Sequence, residues 1–218
     1  WMPPEMSIAD AGHKLVEQVT PSGQITAIAG GGATVPSYTS EASTSAQLNN
    51  PTGVAVDASE NVYIADQGNN LIEEVSSGQI VAIIGGGTKT PLDYSVYARD
   101  PNTVALENPS AVAVDGAGDV YFTDQGRNEI DVLMSGEVGI VIGGGGTVPS
   151  LIAGAATSAQ LSSPNGISLD AKGNLYVADQ GNNLVEEMSG GQISGGQIIV
   201  LWAGGGSRVF TTAAGTGT

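Results

Sequence analysis

Hydrophobic and polar residues alternate with a period of two over short stretches of this chain, and glycine, asparagine, serine and aspartate interrupt them. That alternation is the signature of β-strands. Between residues 50 and 87, Val54 and Val56 fall on one side and Ala55 and Asp57 on the other. Val62 and Ile64 then alternate with Tyr63 and Ala65. Gln67-Gly68-Asn69-Asn70 follows, and glycine and asparagine accept a positive φ at little cost, so a tight turn is expected there. A third strand is predicted over Leu71 to Val75, a turn at Ser76-Ser77-Gly78, and a fourth strand over Gln79 to Ile84 that ends in Gly85-Gly86-Gly87.

The same series recurs along the chain. Asn50-Pro51-Thr52-Gly53-Val54-Ala55-Val56-Asp57 returns as Asn108-Pro109-Ser110-Ala111-Val112-Ala113-Val114-Asp115 and as Ser163-Pro164-Asn165-Gly166-Ile167-Ser168-Leu169-Asp170. Asp66, Asp124 and Asp179 close the second strand of each copy, and Met6-Ser7-Ile8-Ala9-Asp10 belongs to a first copy. Four antiparallel strands per copy make one propeller blade. The pattern predicts an all-β chain, a β-propeller of four-stranded antiparallel blades with about four repeats. The first copy starts at the turn before strand two, so its innermost strand is missing and fifteen strands stand where four blades need sixteen. The organisation is one domain over 1–218, with repeats at 1–32, 48–87, 106–145 and 161–206, inserts at 33–47, 88–105 and 146–160, and a tail at 207–218.

Asn-Pro-x-Gly-Val-Ala-Val-Asp followed by Asn-Val-Tyr-Ile-Ala-Asp-x-Gly-Asn-Asn resembles the NHL repeat family. With its glycine-rich exit and an Ala-Thr-Ser-Ala-Gln-Leu lead-in (Ala156 to Leu161, echoed from Ser43 to Leu48), the longer form is similar to tandem NHL repeats of bacterial exported proteins. The resemblance implies a propeller. NHL-type lyases of similar fold use several metal-binding histidines, and this chain has only His13.

Charge narrows the partners. The formal net charge is −16, from 22 acidic against 6 basic residues, so nucleic acid and anionic membrane surfaces are disfavoured. Apolar runs such as Ile80 to Ile84 are too short to span a bilayer. The absence of cysteine rules out disulfides and thiolate metal sites. Few lysines and abundant small residues point to an extracellular or periplasmic protein whose signal peptide has been removed or lies outside this sequence. Asn50-Pro51-Thr52 and Asn108-Pro109-Ser110 carry the proline that forbids glycosylation.

Asp66, Asp124 and Asp179, with Asp10 and the strand-one residues Asp57, Asp115 and Asp170, would form a ring able to hold Ca²⁺ through hard oxygen ligands. Alternatively, each aspartate caps its own turn, which is the favoured reading and leaves no cofactor. Glu73-Glu74, Glu186-Glu187 and Glu17-Gln18 alternate across strand three, so at least one of each pair faces solvent, and a solvated blade face accounts for them. His13 takes the place of Asn69 and Asn182, as a turn substitution. Gly85-Gly86-Gly87-Thr88-Lys89-Thr90 lacks the spacing of a phosphate loop. Tyr63, Tyr121 and Tyr176 recur at one strand-two position, as expected of packing between blades. Loops on a rigid scaffold carry specificity, so Tyr38, Tyr94, Tyr97 and Arg99 in the inserts are the contact candidates.

The function expected from these features is a non-enzymatic extracellular scaffold that self-assembles, as fibres or closed multimers, by strand complementation between subunits. The rivals are a propeller that binds a carbohydrate or peptide through its insert loops, and a metal-dependent hydrolase or lyase with a central-channel site.

Overall fold

The computed structural model of the chain describes residues 5–87, 100–144, 154–189 and 197–203. Within them the chain is all-β, in four antiparallel sheets. Sheet one contains β1 (Met6–Asp10), β2 (Leu15–Val19) and β3 (Ile25–Gly30). Sheet two contains the two-residue β4 (Glu41–Ala42), then β5 (Pro51–Val56), β6 (Val62–Asp66), β7 (Leu71–Ser76) and β8 (Gln79–Gly85). Sheet three contains β9 (Pro109–Val114), β10 (Val120–Asp124), β11 (Glu129–Met134) and β12 (Glu137–Gly143). Sheet four contains the two-residue β13 (Gly154–Ala155), then β14 (Pro164–Leu169), β15 (Leu175–Asp179), β16 (Leu184–Ser189) and β17 (Gln197–Ala203).

The predicted strands and turns sit where the alternation put them, and sheet one has three strands among the described residues. The inserts hold an addition. β4 pairs with the outer edge of β8 and β13 with that of β17. An outer strand offers a free row of backbone donors and acceptors, and a short segment of insert covers it.

Sheets two and three are apolar on both faces, because each is packed between two others. In sheet two, Val54 lies opposite Ile64 and Val62 opposite Val75. This face meets Val16 and Ala29 of sheet one. Tyr63, Ala65 and Ile72 point the other way, against Val112, Val120 and Phe122 of sheet three. Tyr121, Ile130 and Val132 in turn meet Leu175, Val177 and Met188 of sheet four. The lead-in before each inner strand drives a wedge into its seam. Ala46 and Leu48, Val104 and Leu106, and Ala159 and Leu161 are all buried there. The inner strands then stand side by side, β5 against β9 and β9 against β14, with β1 beside β5.

One irregularity recurs in all four sheets. The register between the third and fourth strands shifts between Val16 and Glu17, Ile72 and Glu73, Ile130 and Asp131, and Val185 and Glu186. A bulge adds a residue to one strand and re-aims the side chains beside it. Here it always adjoins an acidic residue.

Candidate functional site

The turns after the second strands gather on one end of the sheets, and their geometry explains the repeated Asp-x-Gly. The Asp66 carboxylate accepts the backbone N–H of Asn49 at 2.9 Å, and Gly68 N–H donates back to the Asn49 carbonyl at 2.6 Å. Asp124 and Gly126 hold Glu107 in the same way, at 2.9 and 2.7 Å, and Asp179 and Gly181 hold Ser162 at 2.9 and 2.6 Å. A Cβ at Gly68 would run into the Asn49 carbonyl, so only glycine can close this clasp. The expectation that these aspartates serve their own turns holds in part: Asp66 and Asp179 accept from Asn69 and Asn182 of those turns, and all three carboxylates also grip the chain seventeen residues upstream.

The third turn residue completes each clasp. Asn69 Nδ2 donates to Asp66 at 2.8 Å and Asn182 Nδ2 to Asp179 at 2.7 Å, while Arg127 Nε stands 3.5 Å from Asp124. His13 Nδ1 lies 2.8 Å from Asp10, which makes it the turn substitution that its alignment predicted. That hydrogen bond lowers Asp10 and raises His13 from their ordinary values. Burial pushes Asp66 up to about 6 and Asp124 up to about 7, against the pull of the amides they accept. It raises Asp179 as well.

The fourth turn residue links one sheet to the next. Asn70 and Asn128 adopt φ of 54° and 59°, in the left-handed region that asparagine tolerates. Asn70 Oδ1 accepts the N–H of Asn108 at 2.9 Å, and Asn128 Oδ1 accepts that of Ser163 at 2.6 Å. Lys14, at φ 60°, takes this place in sheet one and has no acceptor to offer. Around these clips lies an open depression of about 600 Å³, lined by Asn108, Gln125, Asn128, Ser163 and Gln180. Its wall is neutral and rich in amides.

At the opposite end the strand-one aspartates serve their own turns. Asp57 accepts the amides of Ser59 and Asn61, both at 2.8 Å, and Asp115 and Asp170 repeat the arrangement. Tyr63 and Tyr176 bring their hydroxyls to 3.3 Å from Asp57 and Asp170. Of the four contact candidates, Tyr38 is a pin within the fold. Its hydroxyl proton is shared between the carbonyls of Gly85 and Pro101, at 2.7 and 3.0 Å, and burial pushes its pKa up to about 12. Tyr94, Tyr97 and Arg99 lie outside the described residues, as does the tail. Among the described residues no three His, Asp or Glu side chains gather in an arrangement that could hold a metal ion.

The family model for the NHL repeat matches residues 48–73 and 161–186, which run from the lead-in through the clasp to strand three. These two segments are NHL repeats. The chain's third repeat keeps Asp124 and Gly126 but has Ala111 for glycine and Arg127 for asparagine. Over 151 residues the chain is 28% identical to Teneurin-4 of Homo sapiens, which covers 61% of this chain and 5% of that protein, so the chain spans only a small part of the curated relatives it matches. Its fold is similar to that of virginiamycin B lyase from Staphylococcus aureus, with TM-score 0.54, 16% identity, and coverage of 90% of this chain and 51% of that one. An auxiliary nutrient binding protein from Bacteroides thetaiotaomicron matches with TM-score 0.55 and 15% identity, over 90% of this chain and 45% of that one. At these identities the solved structures speak for the propeller fold alone.

Strand three of the NHL repeats holds residues that the sequence reading placed wrongly. Glu73 and Glu186 are fully buried, not on a solvated face. They share a side with Leu71 and Val75, and with Leu184 and Met188, and that side is turned into a seam between sheets. The signal was present in the spacing Leu-x-Glu-x-Val and Leu-x-Glu-x-Met, because a strand with apolar neighbours at i±2 carries its middle residue to the same face.

Proposed function

We propose that this NHL-repeat chain is a non-enzymatic interaction scaffold that acts outside the cytoplasm and self-associates. The observation that carries the reading is the clasp. The carboxylates that a catalytic or metal site would draw on at the turn face are engaged in holding the upstream chain, and the face around them presents neutral amides. The chain's one histidine sits on an exposed turn, paired with Asp10. Self-association is supported by β1, which pairs on one side only among the described residues and carries Met6, 55% exposed. A free strand edge templates pairing with another chain. Placement outside the cytoplasm rests on the small-residue, lysine-poor composition.

A second reading is favoured by the amide-lined depression, whose donors and acceptors suit a carbohydrate or a peptide backbone. The likeness in fold to a nutrient binding protein agrees with it. Light scattering with electron microscopy over a concentration series tests the first reading: particles that grow with concentration support it. Monomers that bind an oligosaccharide or peptide saturably would replace it with the second. A lyase or hydrolase activity abolished by a chelator would overturn both.

A further inference from the structure

Two glutamates are enclosed in seams between sheets where no described residue neutralises them. Glu73 stands between Leu71 and Val75 on β7 and lies opposite Ile64 on β6 and Ala82 on β8. Glu186 stands between Leu184 and Met188 on β16, opposite Val177 on β15. Both are 0% exposed, and among the described residues neither carboxylate has a hydrogen-bond partner on either oxygen. The bulge beside each keeps the acid aimed into the seam. An isolated carboxylate in such surroundings is far too costly to leave ionised.

We propose that Glu73 and Glu186 are proton-binding sites that close the seams: each takes up a proton as the sheets pack, so the array is held most firmly in mildly acidic medium and loosens as the medium turns alkaline. The occupant is a proton rather than a metal ion. Calcium asks for six to eight oxygen ligands, whereas Glu73 is walled by Val62, Ile64, Val75 and Ile80, and the nearby Asp66 carboxylate is committed to Asn49 and Asn69.

The charged groups around each glutamate act in the same direction. Burial raises Glu73 well above the usual carboxylate range, and Asp66 on β6 and Glu41 on β4 add to it. Burial, then Asp179 on β15, pushes Glu186 up to about 8. Sheet one faces Glu73 with Val16 and Ala29, and Lys14 from its turn acts on Asp66. Sheet three faces Glu186 with Ile130, Val132 and Tyr121, whose own hydroxyl is raised by burial and then by Asp115 and Asp119. Asp131 has the same register position in sheet three, but Arg127 brings a cation to the neighbouring Asp124, so that seam is left out of the proposal.

The sign follows from linkage. A carboxyl whose folded pKa lies above its unfolded value binds a proton on folding. Its stabilisation is complete below the unfolded pKa and is lost as pH rises through the folded one. For Glu186 that window runs from the ordinary glutamate value of 4.5 up to about 8. Between about pH 6 and 7.5 the slope of unfolding free energy against pH, read as protons taken up on folding, should fall by about one in E186Q and by about two in E73Q/E186Q. The slope that remains belongs to Asp66, Asp124 and His13. Because a buried amide also lacks a partner, E186M is the second variant: it should lose the same single proton and melt higher than the parent at about pH 8. Calorimetry of the parent in two buffers of different ionisation heat counts the protons without any substitution. An unchanged slope in E186Q and E186M would overturn the proposal. So would a parent that takes up no protons, or a melting point raised by calcium in the parent and not in E186M.

Discussion

Replacing Asn128 with alanine tests how the sheets are joined. Two things are lost. One is the 2.6 Å bond from Ser163 N–H to Asn128 Oδ1, and a single neutral hydrogen bond contributes about 1 kcal/mol net. Water enters the open depression and can partly replace it, which argues against a larger figure. The other is conformational: an alanine held at φ 59° costs roughly 1 kcal/mol more, having no side-chain amide to satisfy the turn. Together the loss is about 2 kcal/mol, or roughly 4–8 °C in Tm for a domain of this size. Two companion variants separate the parts. Asn128→Gly keeps the turn and loses the clip, and Asn128→Asp keeps both the turn and an acceptor, so their costs should fall well below that of alanine. The direct readout is amide exchange at Ser163, where a loss of about 1 kcal/mol in local protection means roughly fivefold faster exchange. If Tm falls while Ser163 exchanges at the parental rate, the bond contributes nothing and strain alone explains the loss.

Lys14→Asn should place an acceptor opposite Asn50, the counterpart of Asn108 and Ser163, and raise Tm below about pH 6; the gain should shrink at higher pH, where Asp66 ionises and loses the lysine's support. Asp57→Ala removes the acceptor of the Ser59 and Asn61 amides and should cost about 1 kcal/mol in urea unfolding, with Tyr63 fluorescence as a local probe. Tyr38→Phe should cost about 1 kcal/mol by releasing the insert from Gly85 and Pro101, seen as faster exchange of the Ala82 amide that bonds Ser37.

The strands and turns were legible because their causes are local. An alternation of two specifies a strand, and Gly or Asn specifies a turn, within a few residues of where each acts. The clasps were half legible. Asp-x-Gly stood out by repetition, yet its partner lies seventeen residues upstream, and no local rule pairs Asp66 with the amide of Asn49. The two-residue strands Glu41–Ala42 and Gly154–Ala155 were not legible, since they are held by backbone pairing to an outer edge and carry no pattern of their own. Glu73 and Glu186 were misread because charge was allowed to outweigh spacing. Tyr38 was singled out as a binding residue of the inserts, and the contacts it makes hold the fold itself.

The three seams are held by different means, and in a stacked array each sheet contacts only its neighbours, so the seams can yield separately. The seam between sheets two and three carries the Asn70 clip and a guanidinium beside Asp124. The seam between three and four carries the Asn128 clip and a buried Glu186. The seam between one and two has Lys14 in place of a clip and Glu73 within it. Rising pH therefore weakens the first and third seams through their glutamates, and the first has no clip to resist. Exchange measured across a pH series should show the amides of sheet one losing protection before those of sheet three. The reverse order would mean that the wedge residues Ala46 and Leu48, and not the polar groups, decide how firmly sheet one is held.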